Sequence, residues 1–199
     1  MQTQTPKTYY TPEEYLQLEE KSEFKNEYRD GEIVPMTGGT TNHNEIALNF
    51  CTTFKFTMRG KNYKIYMGDV RLWILRYRIY TYPDVMVIQG EPIYEVTGTT
   101  TVTNPLMIGE VLSKSTENYD RTNKFRFYRS ILTLKEYIMI DQNEYLVEQF
   151  VKNSESQWIF TEYESAESAD ALLSLKSIDF QIPFSDIYEG VKVEVGEEE

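Results

Sequence analysis

Two apolar segments of strand length each carry one carboxylate: Asp84 in Tyr-Pro-Asp-Val-Met-Val-Ile (82–88), and Glu110 in Leu-Met-Ile-Gly-Glu-Val-Leu-Ser (106–113). An acid in an otherwise apolar strand is costly to bury unless a proton, a cation or a metal ion compensates it. A fold that takes up both strands must leave the acids at the sheet margin or bring compensating charge to them. Two such acids point to a divalent-metal site. A third segment, Glu136–Asp141, is apolar throughout between its acidic ends, the pattern of a buried strand.

Lys124 follows Glu110 by fourteen residues, within the stretch Asp120–Tyr128. If that stretch is the helix leaving the Glu110 strand, Lys124 lies about four turns along or less and leans back over the carboxylates. Asp, Glu and Lys are the parts of metal-assisted phosphodiester hydrolysis. The carboxylates hold Mg²⁺, which polarises the phosphate and lowers the pKa of a bound water, while the lysine offsets charge in the transition state. The same residues also have plainer readings. Pro83-Asp84 suits a turn with a capping aspartate, Glu110 suits an ion pair with Arg71 or Arg126, and Lys124 suits an i,i+4 pair with Asp120 on a solvated helix.

Along the chain, Thr11-Pro12-Glu13-Glu14 supplies a cap, a proline at the first helical position and an acid three after the cap, predicting a helix over about 12–21. Asp30-Gly31 turns a hairpin within Tyr28–Val34, and 35–41 is a loop. Asn42 with Glu45 repeats the cap-to-acid spacing and opens a helix over about 43–59, where Ile46, Ala47, Phe50, Cys51, Phe54 and Met58 recur at helical spacing. Strands are predicted at 62–67 and 69–75, and 91–105 is a polar connection, a flap or extended hairpin. Possible caps at 113–116 open a helix to about Ser130. After a turn at Gln142-Asn143, strands at 145–150, 157–163 and 177–182 form a C-terminal antiparallel extension, followed by a short turn at 184–188.

The length, 199 residues, suits a single domain over 1–199 with a sheet-and-helix core of the α/β (α+β) class; 1–7 and 194–199 are expected to be flexible. There is no apolar run of membrane-spanning length, and Met1–Lys7 is polar, which predicts a cytoplasmic protein that does not engage membranes. The one cysteine, Cys51, lies near Phe50 and Phe54 and reads as a buried structural thiol. A formal charge of -12 argues against nucleic acid until its distribution is considered. Residues 1–140 hold 17 acids and 17 bases, whereas 141–199 hold 15 acids and 3 bases. The motif-bearing part is neutral. Arg71, Arg76 and Arg78 precede Asp84, and Arg121, Lys124, Arg126 and Arg129 follow Glu110; solvated faces and phosphate contacts are equally open readings of both clusters.

Several segments carry a resemblance when read in order: Glu27–Val34, His43 at a helix start, Asp69–Leu72, Pro83-Asp84-Val85, Glu110–Ser113 with Ser115-Thr116, Asp120, Lys124 and Glu136–Asp141. Over about residues 8–190 the chain resembles the Uma2 family, bacterial proteins regarded as endonucleases and similar to the PD-(D/E)XK restriction-endonuclease-like superfamily. The resemblance implies a restriction-endonuclease-like mixed central sheet flanked by helices. It also implies Mg²⁺ (or Mn²⁺) held by Asp84 and Glu110 on adjacent strands, and DNA as substrate. Glu27 resembles the family glutamate that joins the metal cluster, and His43 the helix-start histidine that assists proton transfer. Asp69 and Arg71 would support the site or contact phosphate. The lysine expected two residues after the glutamate is Leu112 here, and Lys124 stands in for it.

Two other classes stay open: a catalytically silent nucleic-acid-binding member, and an oligomeric scaffold suggested by sixteen tyrosines and an apolar C-terminal hairpin with an acidic rim. A nuclease acting on two strands suits a homodimer or higher homo-oligomer, and the acid-rich C-terminal third suits weak or gated DNA binding.

Overall fold

The structure, a computed structural model, describes residues 9–95, 98–114, 116–165 and 171–193. The three apolar runs become neighbours at the centre of a six-stranded sheet. Its order is β11 (Trp158–Glu164), β10 (Leu146–Lys152), β9 (Glu136–Asp141), β8 (Met107–Leu112), β6 (Val85–Gln89) and β3 (Tyr63–Met67). β8 and β9 run parallel and the other neighbours antiparallel, so the sheet is mixed. β8 and β9 are buried from end to end, which is why their sequences run apolar without alternating.

Each face of that sheet has its own cover. On one side Val87, Met107, Val111 and Ile138 share a buried cluster with Ile46, Phe50 and Phe54 of α2 (Thr41–Thr57). The hairpin β12 (Leu172–Leu175) and β13 (Phe180–Pro183) and the short α5 (Phe184–Ile187) complete it. On the other side Met86, Ile108, Leu112 and Met139 meet Leu72, Ile74 and Ile79 of a smaller sheet. That sheet runs β2 (Glu32–Pro35), β1 (Asn26–Arg29), β5 (Ile79–Thr81), β4 (Arg71–Ile74), β7 (Thr101–Val102). Burying one large aliphatic side chain contributes about 1.5–3 kcal/mol, so this stacking outweighs local propensity. The first helix, α1 (Pro12–Glu19), has the expected reciprocal cap of Thr11 and Glu14 and buries Tyr15 against Tyr28 and Tyr80.

The hairpin turn at Asp30-Gly31 has positive φ at both residues, 42° and 108°, as a two-residue turn of this hand requires. Gly109 sits where a Cβ would lie 3.2 Å from Ile138 Cγ1 and 3.4 Å from Val85 Cβ, so the strand carrying Glu110 packs as closely as it does because that position has no side chain.

Some elements differ from expectation. Helix α2 starts earlier, capped by Thr40, whose hydroxyl accepts from the His43 amide; Asn42 lies inside its first turn. The tract 69–82 contains two strands, β4 and β5, joined through a short turn with Arg78 at φ 53°. The 91–105 connection contributes β7, which pairs parallel with β4. The helix after Glu110 is three pieces: α3 (Glu117–Tyr119), a π-helical turn (Asp120–Lys124) and α4 (Phe125–Tyr128). Cys51 is half-buried, its pKa pushed up to about 12 by burial. Ser115 and the terminal segments 1–7 and 194–199 lie outside the described residues.

Candidate active site

The register of β6 on β8 pairs Val85 with Gly109, and one residue further sets Asp84 opposite Glu110. Opposite residues of an antiparallel pair project to the same face. Asp84 Oδ2 accepts from the Val111 amide at 2.8 Å, across the strand pair, and meets His43 Nε2 at 3.1 Å. His43 is there because the Thr40 cap orients the first turn of α2 over the end of β6.

Glu110, 2% exposed, faces the broken helix. Tyr128 donates its hydroxyl to Glu110 Oε1 at 2.6 Å, and the Lys124 ammonium lies 3.2 Å from the same oxygen. Lys124 also lies 2.9 Å from Asp120 Oδ1. Asp120, Lys124 and Tyr128 are spaced four residues apart, so one helix face carries all three inward. Asp120 is buried, and its Oδ1 has no partner of hydrogen-bond geometry, which leaves the Lys124 ammonium as its compensation.

The electrostatics follow from these contacts. Burial opposes the charge on Asp84, but the His43 hydrogen bond and charge, Lys124 and the Val111 amide outweigh it and hold its pKa below the usual carboxylate range. Burial dominates at Glu110 and, with Asp84 and Asp120 adding to it against Lys124 and Tyr128, pushes its pKa well up. Burial works against the Lys124 ammonium, yet Glu110, Asp120, Glu27 and Asp84 raise its pKa. His43 behaves likewise: Asp84 overcomes burial and raises it. Three carboxylates, Asp84, Glu110 and Asp120, thus face two cations, Lys124 and His43, and the surplus negative charge calls for a proton or a further cation.

The contacts above occupy Asp84 Oδ2 and Glu110 Oε1 and leave Asp84 Oδ1 and Glu110 Oε2 outside them. Carboxylate oxygens with surplus negative charge are the donor set of a hard divalent ion, so the residues fit Mg²⁺ or Mn²⁺ as a two-carboxylate site. Among the described residues no three His, Cys, Asp or Glu side chains form a ready cage. Glu27, expected as a third ligand, is buried nearby but held elsewhere: Arg29 donates to its Oε2 at 2.6 Å, and Thr81 donates to its Oε1.

Neither Arg71 nor Arg126 reaches Glu110. Arg71 is buried beneath Tyr15 and Tyr80 and donates to Thr101 at 2.9 Å, and Asp69 is an exposed partner of Lys25. Both therefore stand apart from the carboxylate pair. Sequence reasoning did not assign Tyr128 or the Val111 amide. The spacing of Tyr128 from Lys124 was the one signal for the first, and a backbone donor leaves none.

Comparison with known proteins agrees with this architecture. The model of the Uma2 family, described as "Putative restriction endonuclease", matches residues 12–184. An uncharacterized protein of Synechocystis sp. is 43% identical over 152 residues, 76% of this chain and 86% of that protein. A second from the same organism is 35% identical over 181 residues, 91% of this chain and 92% of that protein. The crystal structure of "a putative nuclease belonging to DUF820" from Anabaena variabilis superposes with a TM-score of 0.73 at 18% identity, covering 92% of this chain and 99% of the other. With a matched segment spanning most of its length and relatives above one-third identity, this chain belongs to the Uma2 family.

Proposed function

We propose that the protein is a divalent-metal-dependent DNA endonuclease in which Asp84 and Glu110 hold the ion and Lys124 stabilises the transition state. One observation carries this reading: two carboxylates stand opposite one another on adjacent strands, and a lysine ammonium from a different element lies 3.2 Å from one of them, Glu110. Family membership and fold support nuclease chemistry over other uses of such a cluster.

Each residue has a distinct task. Asp84, held ionised and oriented by His43 and the Val111 amide, presents Oδ1. Tyr128 fixes Glu110 by Oε1 and leaves Oε2 outside that contact. A bound Mg²⁺ or Mn²⁺ would polarise a phosphate oxygen and acidify a water molecule. Lys124 keeps a positive charge where negative charge builds on the phosphoryl oxygens, anchored by Asp120 against drifting away. His43 remains with Asp84 as an orienting group and a proton carrier at the mouth of the site.

Cleavage of plasmid DNA with Mn²⁺ tests the proposal. Asp84→Asn and Glu110→Gln should each abolish cleavage and weaken Mn²⁺ binding measured by calorimetry. Equal Mn²⁺ affinity in wild type and both variants would refute ligation by these carboxylates. Cutting both strands suits two sites related by a two-fold axis, so the protein is expected to be a homodimer, and a monomeric mass by light scattering at high micromolar concentration would refute that.

A further inference from the structure

The arginines that flank the site in sequence separate into two kinds in space. Arg71 is buried among tyrosines, Arg78 lies 3.0 Å from Asp30, and Arg121 is held by Glu148 at 2.6 Å and by Glu117 at 3.0 Å. Arg76, Arg126 and Arg129 differ: all three are exposed, and among the described residues none makes an ion pair. Other cations among the described residues also lack ion pairs, but these three flank the candidate site in sequence and each guanidinium lies over an aromatic ring.

Two of the three lie over the same ring. The guanidinia of Arg76 and Arg126 sit 5.7 and 5.6 Å from the centre of the Tyr77 ring. Tyr77 packs on Phe127 at 4.9 Å, and Phe127 on Tyr119 at 6.5 Å. Tyr119 immediately precedes Asp120, so the row of rings starts beside the candidate site. Arg129 lies one helical turn beyond Arg126 and rests over Phe125 at 5.5 Å. The rings lie against the guanidinia without neutralising their charge, which lowers the ordering cost of a contact made by those heads.

From this we infer that Arg76, Arg126 and Arg129 form a docking strip for the phosphodiester backbone of DNA, running from the candidate site along the outer side of the broken helix. A polyanion is the partner that the strip fits, because it supplies negative charge at regular intervals to cations that the protein itself leaves unmatched. The ring row adds a rigid floor rather than a base pocket, since its faces are taken up by neighbouring rings and guanidinia. This inference rests on the nuclease reading for its substrate but is tested separately from cleavage.

The test is binding of a short fluorescein-labelled duplex, and of the matching single strand, by anisotropy in EDTA across a salt series. Asp84→Asn, Arg76→Ala/Arg126→Ala and the triple variant with Arg129→Ala are compared with wild type, and Lys55→Ala, an exposed charge on α2, serves as control. Removing one arginine–phosphate pairing should lower the slope of log affinity against log salt by about one, so the double variant should lose about two and the triple about three. Affinity for the duplex should fall about tenfold or more, with Lys55→Ala unchanged. Wild-type slope and affinity in the double variant would overturn the inference, as would absence of duplex binding by wild type or a loss confined to the single strand. Retained binding with lost cleavage in Asp84→Asn supports the nuclease reading whatever the arginines do, so the two ideas fail separately.

Discussion

At the scale of single residues, the site is governed by the imbalance between carboxylates and cations around Glu110. Lys124 touches both Glu110 and Asp120, so one ammonium is at once the i,i+4 partner of Asp120 and the neighbour of Glu110. Lys124→Ala should therefore keep Mn²⁺ binding within a few-fold yet lose about 10²–10³ in cleavage rate, roughly 3–4 kcal/mol, in single-turnover assays. Cleavage as fast as wild type would remove Lys124 from the mechanism. His43 gives a second residue-level measurement, because it is the chain's one histidine and its ring resonances are unambiguous. Its pKa lies above the ordinary value of 6.5 in the folded state, since Asp84 outweighs burial. The pairing therefore contributes its full stability below about pH 6.5 and loses it as pH rises through the raised value. NMR titration should place His43 above 6.5 in wild type and move it downward in Asp84→Asn; no movement would break the assigned pair. Asp84, Glu110, Lys124 and His43 were legible because their chemical types announce charge. Tyr128 was hidden because a buried tyrosine in so aromatic a chain reads as core. Arg71 misled because a cation near an aspartate in sequence suggests exposure, while tyrosine rings take the place of water around it.

At the scale of elements, the buried acid Glu136 ties the C-terminal hairpin to the main sheet. It is 0% exposed and accepts from the amides of Lys176 and Ser177, the Ser177 hydroxyl and the Gln149 side chain. Those donors join β9 and β10 to the turn between β12 and β13, beneath which Leu173, Phe180 and Ile182 complete the α2 face of the core. Glu136→Ala would leave the buried Gln149 side chain without this acceptor, at about 1–3 kcal/mol, and strand three part-buried donors that water can partly satisfy. Urea denaturation should show a loss of about 2–4 kcal/mol, with hydrogen exchange accelerated most in β12 and β13. Unchanged stability would mean the hairpin docks by apolar contact alone. Sequence periodicity captured the long elements, α2 and the central strands, because burial on fixed faces imposes a pattern there. It missed β5, β7 and β12, which have three, two and four residues, too few for an alternation to register. The start of α2 was misplaced because Asn42 and Thr40 are both competent caps, and the choice falls to tertiary contact. Thr40 donates to Gln142 while Asn42 reaches the Lys192 carbonyl at 3.0 Å. The π-helical turn left no pattern of its own, though the four-residue spacing of Asp120, Lys124 and Tyr128 survives it.

At the scale of the whole molecule, the -12 charge is carried by the part of the chain that does not build the carboxylate site. The half-sheet bearing Asp84 and Glu110, the broken helix and the arginine strip all come from the neutral first 140 residues, while the acidic remainder extends the sheet away through β10 and β11. Among the described residues no helix is long and apolar enough to cross a membrane. The global consequence of the site's own charge surplus is a linkage between ion binding and folding. Unfolded, Asp84 and Glu110 lie 26 residues apart and bind a divalent ion weakly; folded, they stand on adjacent strands. An ion that binds only the folded chain adds about 2.7 kcal/mol of stability at about a hundredfold excess over its dissociation constant. For a chain of this length that corresponds to a rise of about 5–10 °C in Tm. Mn²⁺ should thus raise the Tm of wild type measured by calorimetry, and should do so less as pH falls, because Glu110, whose burial favours the protonated form, must give up its proton to ligate. Lys124→Ala should retain the Mn²⁺ shift, and Asp84→Asn and Glu110→Gln should lose it. An equal shift in all four proteins would mean that Mn²⁺ stabilises the acidic surface at large and that the carboxylate pair is not where it binds.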